Sequence, residues 1–452
     1  MAEVWPFAGT RFLCEENKLN LADVICPPYD EIDAESQEKL YQQSDYNMVR
    51  LVKGRCTPSD DDLNTQFTRA RECYRDWKAR NILGDEQRKC LYVYEQEFKG
   101  PDGNTVKRLG YFALVKLQDF RSGKTRSFEH TYDSLKLDRL KLLRNTLIND
   151  SPLYVLYKDQ EQQVGAVLQE MIGKKGPNQE FTTADGITHR LWMVHKKDPI
   201  LQIHELMKSK LLFIAHGHHR YETALKYRDE QRSATGRRDG RQPYDYSLMF
   251  LQRAEDDTLF TEPIHRLLAR ELAMESDLEE MMDEVGEHFD LTPFKVDMHD
   301  LDKAEKAILK QLKPAKGQKV RMVMTLPNGS SWALGMKKDA ELNDMIDEEL
   351  MSDELKSMDV ILLHQYIIPR GWIGNPEVEL GEDDILYTRQ IQEGLDMLAR
   401  RKSCVGFFMN PITKEEALRV AENGELLPHR SVNFFPKIPS GLVLRDLNVG
   451  FG

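Results

Sequence analysis

Leu211-Leu212-Phe213-Ile214-Ala215-His216-Gly217-His218-His219-Arg220-Tyr221-Glu222-Thr223-Ala224 is the stretch whose reading decides the fold. Leu211 to Ala215 is an apolar run of strand length, the mark of a strand buried in a sheet. Gly217 breaks it, and a helix is expected over Arg220–Gln231. A strand, a glycine turn and a helix start make an anion site. The first N–H groups of a helix have no carbonyl one turn earlier to bond, and the dipole there favours negative charge. Gly217 allows close backbone approach, and Arg220 can grip a phosphate with two parallel bonds. His218 and His219 can donate to phosphoryl oxygens or move protons. Two other readings stand beside this one. The first is a polar corner that is merely exposed. The second is metal binding by His216, His218 and His219, although no His-x-x-x-His spacing supports it.

Outward from this segment the chain alternates strands and helices. Lys89–Glu97 and Val106–Lys116 flank the turn cluster Pro101-Asp102-Gly103-Asn104 and read as a hairpin, and Phe181–His195 reads as a second one broken at Asp185-Gly186. Ser151–Tyr157 and Tyr246–Arg253 read as strands. Helices are expected at Leu63–Ile82, Asp138–Asn145, Gln162–Ile172 and Pro199–Ser209. Further on, helices are expected at Leu267–Val285, Asp353–Tyr366 and Thr388–Arg400. Val320–Leu326 and Ser331–Met336 form a hairpin about Pro327-Asn328-Gly329, and Val405–Met409 is a strand. Thr413, with Glu416 three residues on, starts a helix to Asn423 with a capping box. Cys26-Pro27-Pro28-Tyr29-Asp30 is a rigid extended turn. The fold class is therefore α+β, a mixed sheet with helices followed by a C-terminal α/β region. Two domains are expected, over residues 1–250 and 251–452.

Lys and Arg number 63 and Asp and Glu 75, a net charge of −12 that speaks against broad nucleic-acid binding. The longest apolar runs, such as Val360-Ile361-Leu362-Leu363, fall far short of a membrane span, and Met1-Ala2-Glu3-Val4-Trp5-Pro6 lacks the pattern of a signal peptide. Cys14, Cys26, Cys56, Cys73, Cys90 and Cys404 are scattered with no Cys-x-x-Cys pair. This usage reads as a reducing, cytoplasmic setting, with no metal site built on cysteine.

The segment Gly217-His218-His219-Arg220-Tyr221-Glu222-Thr223-Ala224 closely resembles the hallmark of domain-of-unknown-function family 1015. Further matches follow in order along nearly the whole chain: Pro28-Tyr29-Asp30, Asn47-Met48-Val49-Arg50-Leu51, Glu129-His130-Thr131 with Asp138-Arg139, Ser151-Pro152, Asn410-Pro411-Ile412-Thr413, and Phe434-Phe435-Pro436-Lys437-Ile438-Pro439-Ser440-Gly441-Leu442. The same turn also looks like the phosphate-binding turn of the ParB/sulfiredoxin superfamily. Its nearest functional likeness is to the free-serine kinases, which carry an Asp-Gly-His-His-Arg turn and, upstream, a His-Glu element entering a helix. Two departures stand out. His216 replaces the Asp before the glycine, and Phe128 replaces the His before Glu129.

The resemblance implies a ParB/sulfiredoxin-like nucleotide-binding core and a kinase for a small hydroxyl metabolite, with free L-serine as leading acceptor. ATP or ADP is the implied donor, with Mg an optional companion cation. Gly217, His218, His219 and Arg220 would hold the phosphates, with His218 also counted as catalytic. Glu129 would take the hydroxyl proton, because a general base must reach the proton it removes. Asp30, Thr131, Asp138 and Arg139 would grip substrate or brace the loop. The alternative is a non-catalytic regulator that binds a nucleotide or phosphometabolite at the same turn. Partners are a nucleotide and a small molecule, with neither nucleic acid nor membrane. Arg430 and Lys437 flank a Pro/Phe loop and are either a second anion contact or solvated, and His364 reads as a core histidine.

Overall fold

Leu212–His216 lies second from one edge of a 9-stranded sheet in a computed structural model of the chain. The structure describes residues 2–61, 63–269, 275–313, 321–346, 350–369, 384–400 and 404–449. The chain divides into two units. One comprises Met1–Ser127, Thr131–Phe260 and Phe434–Gly452, and the other Phe128–His130 and Thr261–Asn433. The return of the C-terminal tail to the first unit had no counterpart in the sequence reading.

The large sheet of the first unit contains β1 (Val4–Trp5), β2 (Leu91–Lys99), β3 (Thr105–Lys116), β4 (Thr125–Ser127), β5 (Leu153–Tyr157), β6 (Gln179–Thr182), β7 (Thr188–Val194), β8 (Leu212–His216) and β9 (Tyr246–Arg253). Their order is β4-β8-β5-β9-β3-β2-β7-β6, with β1 beside β3. β8 runs parallel to β4 and β9 parallel to β5, while β8 and β5 are antiparallel. The sheet is mixed, and the α+β class is what the chain adopts. β9 shows why the central strands are so apolar. Met249 and Leu251 face one side with Val155, Leu212 and Ile214, and Phe250 faces the other with Phe112 and Tyr154. Both faces are covered, so the strand reads as a continuous hydrophobic run.

Helices close the first face. In α1 (Gln163–Ile172), Val164, Val167, Leu168, Met171 and Ile172 recur at helical spacing and are all buried in the sheet's core cluster. α2 (Lys197–Met207) adds Ile200, Ile203 and Met207 to the same cluster. Burying side chains of this size stabilises by about 1.5–3 kcal/mol each. α3 (His218–Thr235) follows β8 directly, and its Tyr221 and Ala224 join that core. The helix expected from Arg220 thus starts at His218, which puts both histidines in its first turn. The helix expected from Asp138 starts earlier too, spanning Asp133–Thr146.

The second unit has a sheet of its own: β10 (His265–Leu268), β11 (Phe289–Lys295), β12 (Arg321–Thr325), β13 (Ser330–Met336), β14 (Ile385–Thr388) and β15 (Val405–Met409), in the order β11-β13-β12-β15-β10-β14 with antiparallel neighbours. α4 (Leu301–Leu312) and α5 (Ile391–Ala399) pack Ile308, Leu312, Leu395 and Leu398 against Val323, Ala333 and Phe408. α6 (Lys414–Asn423) begins with the Thr413/Glu416 capping box expected from sequence. Three helices expected here are corrected. Leu267 belongs to a strand and the helix runs Glu275–His288, because Arg266, Leu267 and Leu268 pair with Phe407, Gly406 and Val405. The stretch from Asp353 breaks into Asp353–Lys356, Asp359–Leu362 and a π-turn over Leu363–Ile367. Thr388 ends a strand rather than starting a helix. Among the described residues no helix is long and apolar enough to cross a membrane.

Candidate functional site

At the end of β8 the ladder with β5 shifts register between Ile214 and His216, which frees the chain to turn. Gly217 then adopts φ +93°, in the left-handed region. That backbone favours glycine, and a Cβ there would also lie 2.9 Å from Arg220 Nη2 and 2.9 Å from Leu153 Cδ2, so both side-chain ends would have to shift. Arg220 folds back under it. Its Nη1 donates to the Pro152 carbonyl at 2.7 Å, and its Nη2 lies 3.4 Å from His216 Nδ1. Its Nε is buried with no partner among the described residues.

On the other ring nitrogen, His216 Nε2 lies 2.7 Å from Asp30 Oδ2. Burial drives the His216 pKa down to about 4, opposed by Asp30 and assisted by Lys437 and Arg220. The ring is therefore neutral at pH 7. It accepts from Arg220 at Nδ1 and donates from Nε2 to Asp30. Burial pushes the Asp30 carboxyl up, but His216, Lys437 and Arg220 outweigh it and hold the group well below the usual carboxylate range. Asp30 Oδ1 has no partner among the described residues. Asp30 is presented by a short 3₁₀ turn, Tyr29–Glu31, that starts on Pro28. Arg139 braces that turn from below. Its guanidinium sits 4.1 Å from the Tyr29 ring centre, its Nη1 reaches the Val52 carbonyl at 2.7 Å, and its Nε holds Asp138 at 3.0 Å.

Lys437 reaches this centre from the C-terminal tail, and its charge acts on Asp30, His216 and His218. The tail is clamped by buried side chains of the sheet. Arg108, 1 % exposed, donates to the carbonyls of Phe435 (3.1 Å) and Pro436, and Gln96 donates to that of Lys437 at 3.1 Å. Further along, Ser440 and Cys26 exchange backbone bonds of 3.2 and 2.8 Å. Asp150 lies in the same neighbourhood. Its carboxyl is pushed up by burial, with Arg139 and Arg220 pulling the other way. Asp150 had no sequence signal. Lys437 did, in its Pro436-Lys437-Ile438-Pro439 setting.

The rings of His218 and His219 are buried and used within the fold. His218 bonds the Ile214 carbonyl, and burial lowers its pKa to about 4. His219 Nε2 accepts the Tyr132 N–H at 3.1 Å. Thr131 donates to Glu222 at 2.8 Å, and Lys136 reaches the same carboxylate at 2.9 Å. The fold thus gathers Asp30, His216, Gly217, Arg220 and Lys437 into one centre, braced by Arg139. Glu129 lies in the second unit. It is buried, and its carboxylate accepts the backbone N–H groups of Arg430 (3.1 Å), Ser431 (2.9 Å) and Val432 (2.8 Å). Among the described residues no group of three or more His, Cys, Asp or Glu is placed to hold a metal ion. All six cysteines are free thiols.

A glycine turn between a buried strand and a helix, faced by an arginine, a lysine and a carboxylate, defines a polar centre suited to a charged small molecule. The chain belongs to the family described as "Protein of unknown function (DUF1015)", whose model matches residues 4–361. No curated protein matches it. Similar solved structures include a conserved hypothetical protein from Pyrococcus furiosus, 13 % identical with TM-score 0.35, covering 75 % of this chain and 96 % of that one. Another is a free serine kinase in complex with AMP, 12 % identical with TM-score 0.36, covering 74 % and 90 %. A third is SbnI with a C-terminal truncation from Staphylococcus aureus, 10 % identical with TM-score 0.33, covering 74 % and 86 %.

Proposed function

We propose that the Gly217 turn is a ParB/sulfiredoxin-like phosphate site and that the protein is a nucleotide-dependent kinase acting on a small hydroxyl metabolite, with free L-serine the acceptor its motifs resemble most. One observation carries the reading. Arg220 Nε, a donor, and Asp30 Oδ1, an acceptor, are both buried without partners among the described residues, on either side of His216. An anion fits the first and a hydroxyl or ammonium the second. Buried polar groups are seldom left unmet, so such a pair suits a ligand.

In this reading Arg220, Lys437 and the start of α3 neutralise the phosphates of ATP or ADP. Phosphoryl transfer asks mainly for that positioning and charge compensation. The hydroxyl oxygen bonds the terminal phosphorus as the bond to the leaving phosphate breaks, and the proton passes to a carboxylate. The motif assigns that proton to Glu129, with Asp30 orienting the acceptor and Arg139 and Thr131 in support. Mg fits as a cation accompanying the phosphates.

A second reading, a nucleotide-binding regulator without turnover, is favoured by His216, since the carboxylate at this place comes from Asp30 and is tied to a neutral ring. The deciding experiment incubates the full chain with ATP or ADP and L-serine and measures phosphoserine. Product formation supports the kinase. Saturable nucleotide binding with no product supports the regulator. Absence of nucleotide binding removes both.

A further inference from the structure

The second unit holds a cavity of about 380 Å³, distinct in residues from the Gly217 centre. Its wall includes His265, Glu305, Leu309, Leu312, Arg389 and Ile391. His265 is 1 % exposed. Its Nδ1 accepts the Met409 N–H at 3.2 Å, which leaves the ring proton on Nε2. Nε2 has no partner among the described residues. Burial keeps this ring neutral, with its pKa lowered to about 4. A buried N–H without an acceptor is costly, so its presence in a cavity wall points to an acceptor that enters from outside.

Two further features give the acceptor a charge. α5, 9 residues long, starts at this cavity with Gln390 as N-cap and no side chain capping it. Its first N–H groups and the dipole favour an anion. Arg389 lines the same wall, with Glu262 3.7 Å away. The rest of the wall limits which anion fits. Leu309 is 47 % exposed and stands beside Leu312 and Ile391, a surface that a fully hydrated ion would leave uncovered. Glu305 accepts the Gln392 amide at 2.7 Å and stands against a doubly charged ligand.

We propose that this cavity binds a small monocarboxylate with a branched apolar body. The carboxylate meets the start of α5, Arg389 and His265 Nε2–H, and the apolar body covers Leu309 and Leu312. Such a carboxylate can belong to a plain acid or to an α-amino acid whose ammonium meets Glu305.

The test follows the His265 ring by NMR, and the melting temperature, of the full chain with isovalerate, L-leucine and inorganic phosphate. Isovalerate is expected to shift the His265 signal saturably and raise the melting temperature, and phosphate to do neither. Arg389→Ala removes one charge-assisted contact, and Leu309→Asp, at a half-exposed site that should fold, sets a charged carboxylate against the apolar body; each is expected to weaken isovalerate by about tenfold or more. Binding of L-leucine as tight as or tighter than isovalerate identifies an amino-acid site, and binding of isovalerate alone identifies a plain-acid site. Either supports the proposal. No response to either compound at millimolar concentration overturns it, as does equal binding of phosphate or an unchanged affinity in Leu309→Asp. Arg220→Ala should leave the isovalerate response intact, which keeps this result separate from the nucleotide site.

Discussion

Asp30 and His216 meet at 2.7 Å across 186 residues of sequence. The pair ties the rigid Pro27-Pro28 turn to the last residue of β8. It also brings a carboxylate to the turn, one imidazole removed from Gly217. Arg220 Nη2 lies 3.4 Å from the other nitrogen of that ring, so the guanidinium is oriented from Asp30 through His216.

Arg220→Ala should weaken nucleotide binding by about 10–100-fold, the equivalent of the roughly 1.5–3 kcal/mol of a hydrogen bond to a charged group. Arg220→Lys should recover part of this, since it restores the charge without the planar fork. Titration calorimetry with ADP measures both. Equal affinities in parent and Ala variant would remove the phosphate-site reading.

Gly217→Ala places a methyl group against Arg220 and Leu153 at a positive φ. Strain of this kind costs on the order of 1–3 kcal/mol. A lowered denaturation midpoint is expected, with nucleotide affinity falling further because Arg220 is displaced. A Gly217→Ala protein as stable as the parent would contradict the geometry of the turn.

Acid should destabilise the first unit well above the pH at which its carboxylates protonate. His189, His216 and His218 are each lowered to about 4, in every case mainly by burial. Unfolded histidines titrate near ~6.5. Between these values the unfolded chain binds more protons than the folded one, so stability rises with pH across the window. It is complete above ~6.5 and lost as pH falls through about 4. Each ring contributes a slope of up to about 1.4 kcal/mol per pH unit. Urea midpoints at pH 7 and 5 check the sign. Ring signals titrating near 6.5 in the folded protein would show that the rings are not buried neutral.

Glu129→Gln separates two roles by two readouts. The amide oxygen can still accept from Ser431 and Val432, but an NH₂ group then faces the Arg430 N–H. That mismatch should cost about 1–3 kcal/mol of stability whatever the chemistry. A general base should in addition cost ~10²–10⁴ in turnover with nucleotide affinity nearly intact. Lost stability with unchanged turnover would leave Glu129 as an anchor alone.

Local patterns carried the first unit well. β9 occupies the expected Tyr246–Arg253, and β2 and β3 flank the Pro101–Asn104 turn cluster, because apolar runs and turn residues act over short distances. The Leu211–Ala224 reading located the turn: Leu212–His216 is a strand, Gly217 has a positive φ and the helix follows at once. Leu267 went wrong for the opposite reason. Its strand exists because Val405–Met409 and Ile385–Thr388 come to it from far along the chain, and no nearby residue announces them. The partnership of His216 with Asp30 is equally non-local. The one hint was a polar residue behind two prolines, a setting that fixes where a side chain is presented.

The tail Phe434–Gly452 belongs to the first unit, yet in the sequence Thr261–Asn433 comes between it and the strands that receive it. On a ribosome adding about 5–20 residues per second, the sheet waits on the order of 10–30 s for that stretch to emerge. Throughout this interval Arg108 lacks the carbonyls of Phe435 and Pro436, and Lys437 has not been made. The newborn sheet is thus exposed to chaperones and proteases until the tail has been made. A nonsense codon just ahead of Phe434 would accordingly leave a product that holds both sheets but lacks Lys437 and leaves the Arg108 guanidinium without the carbonyls it bonds.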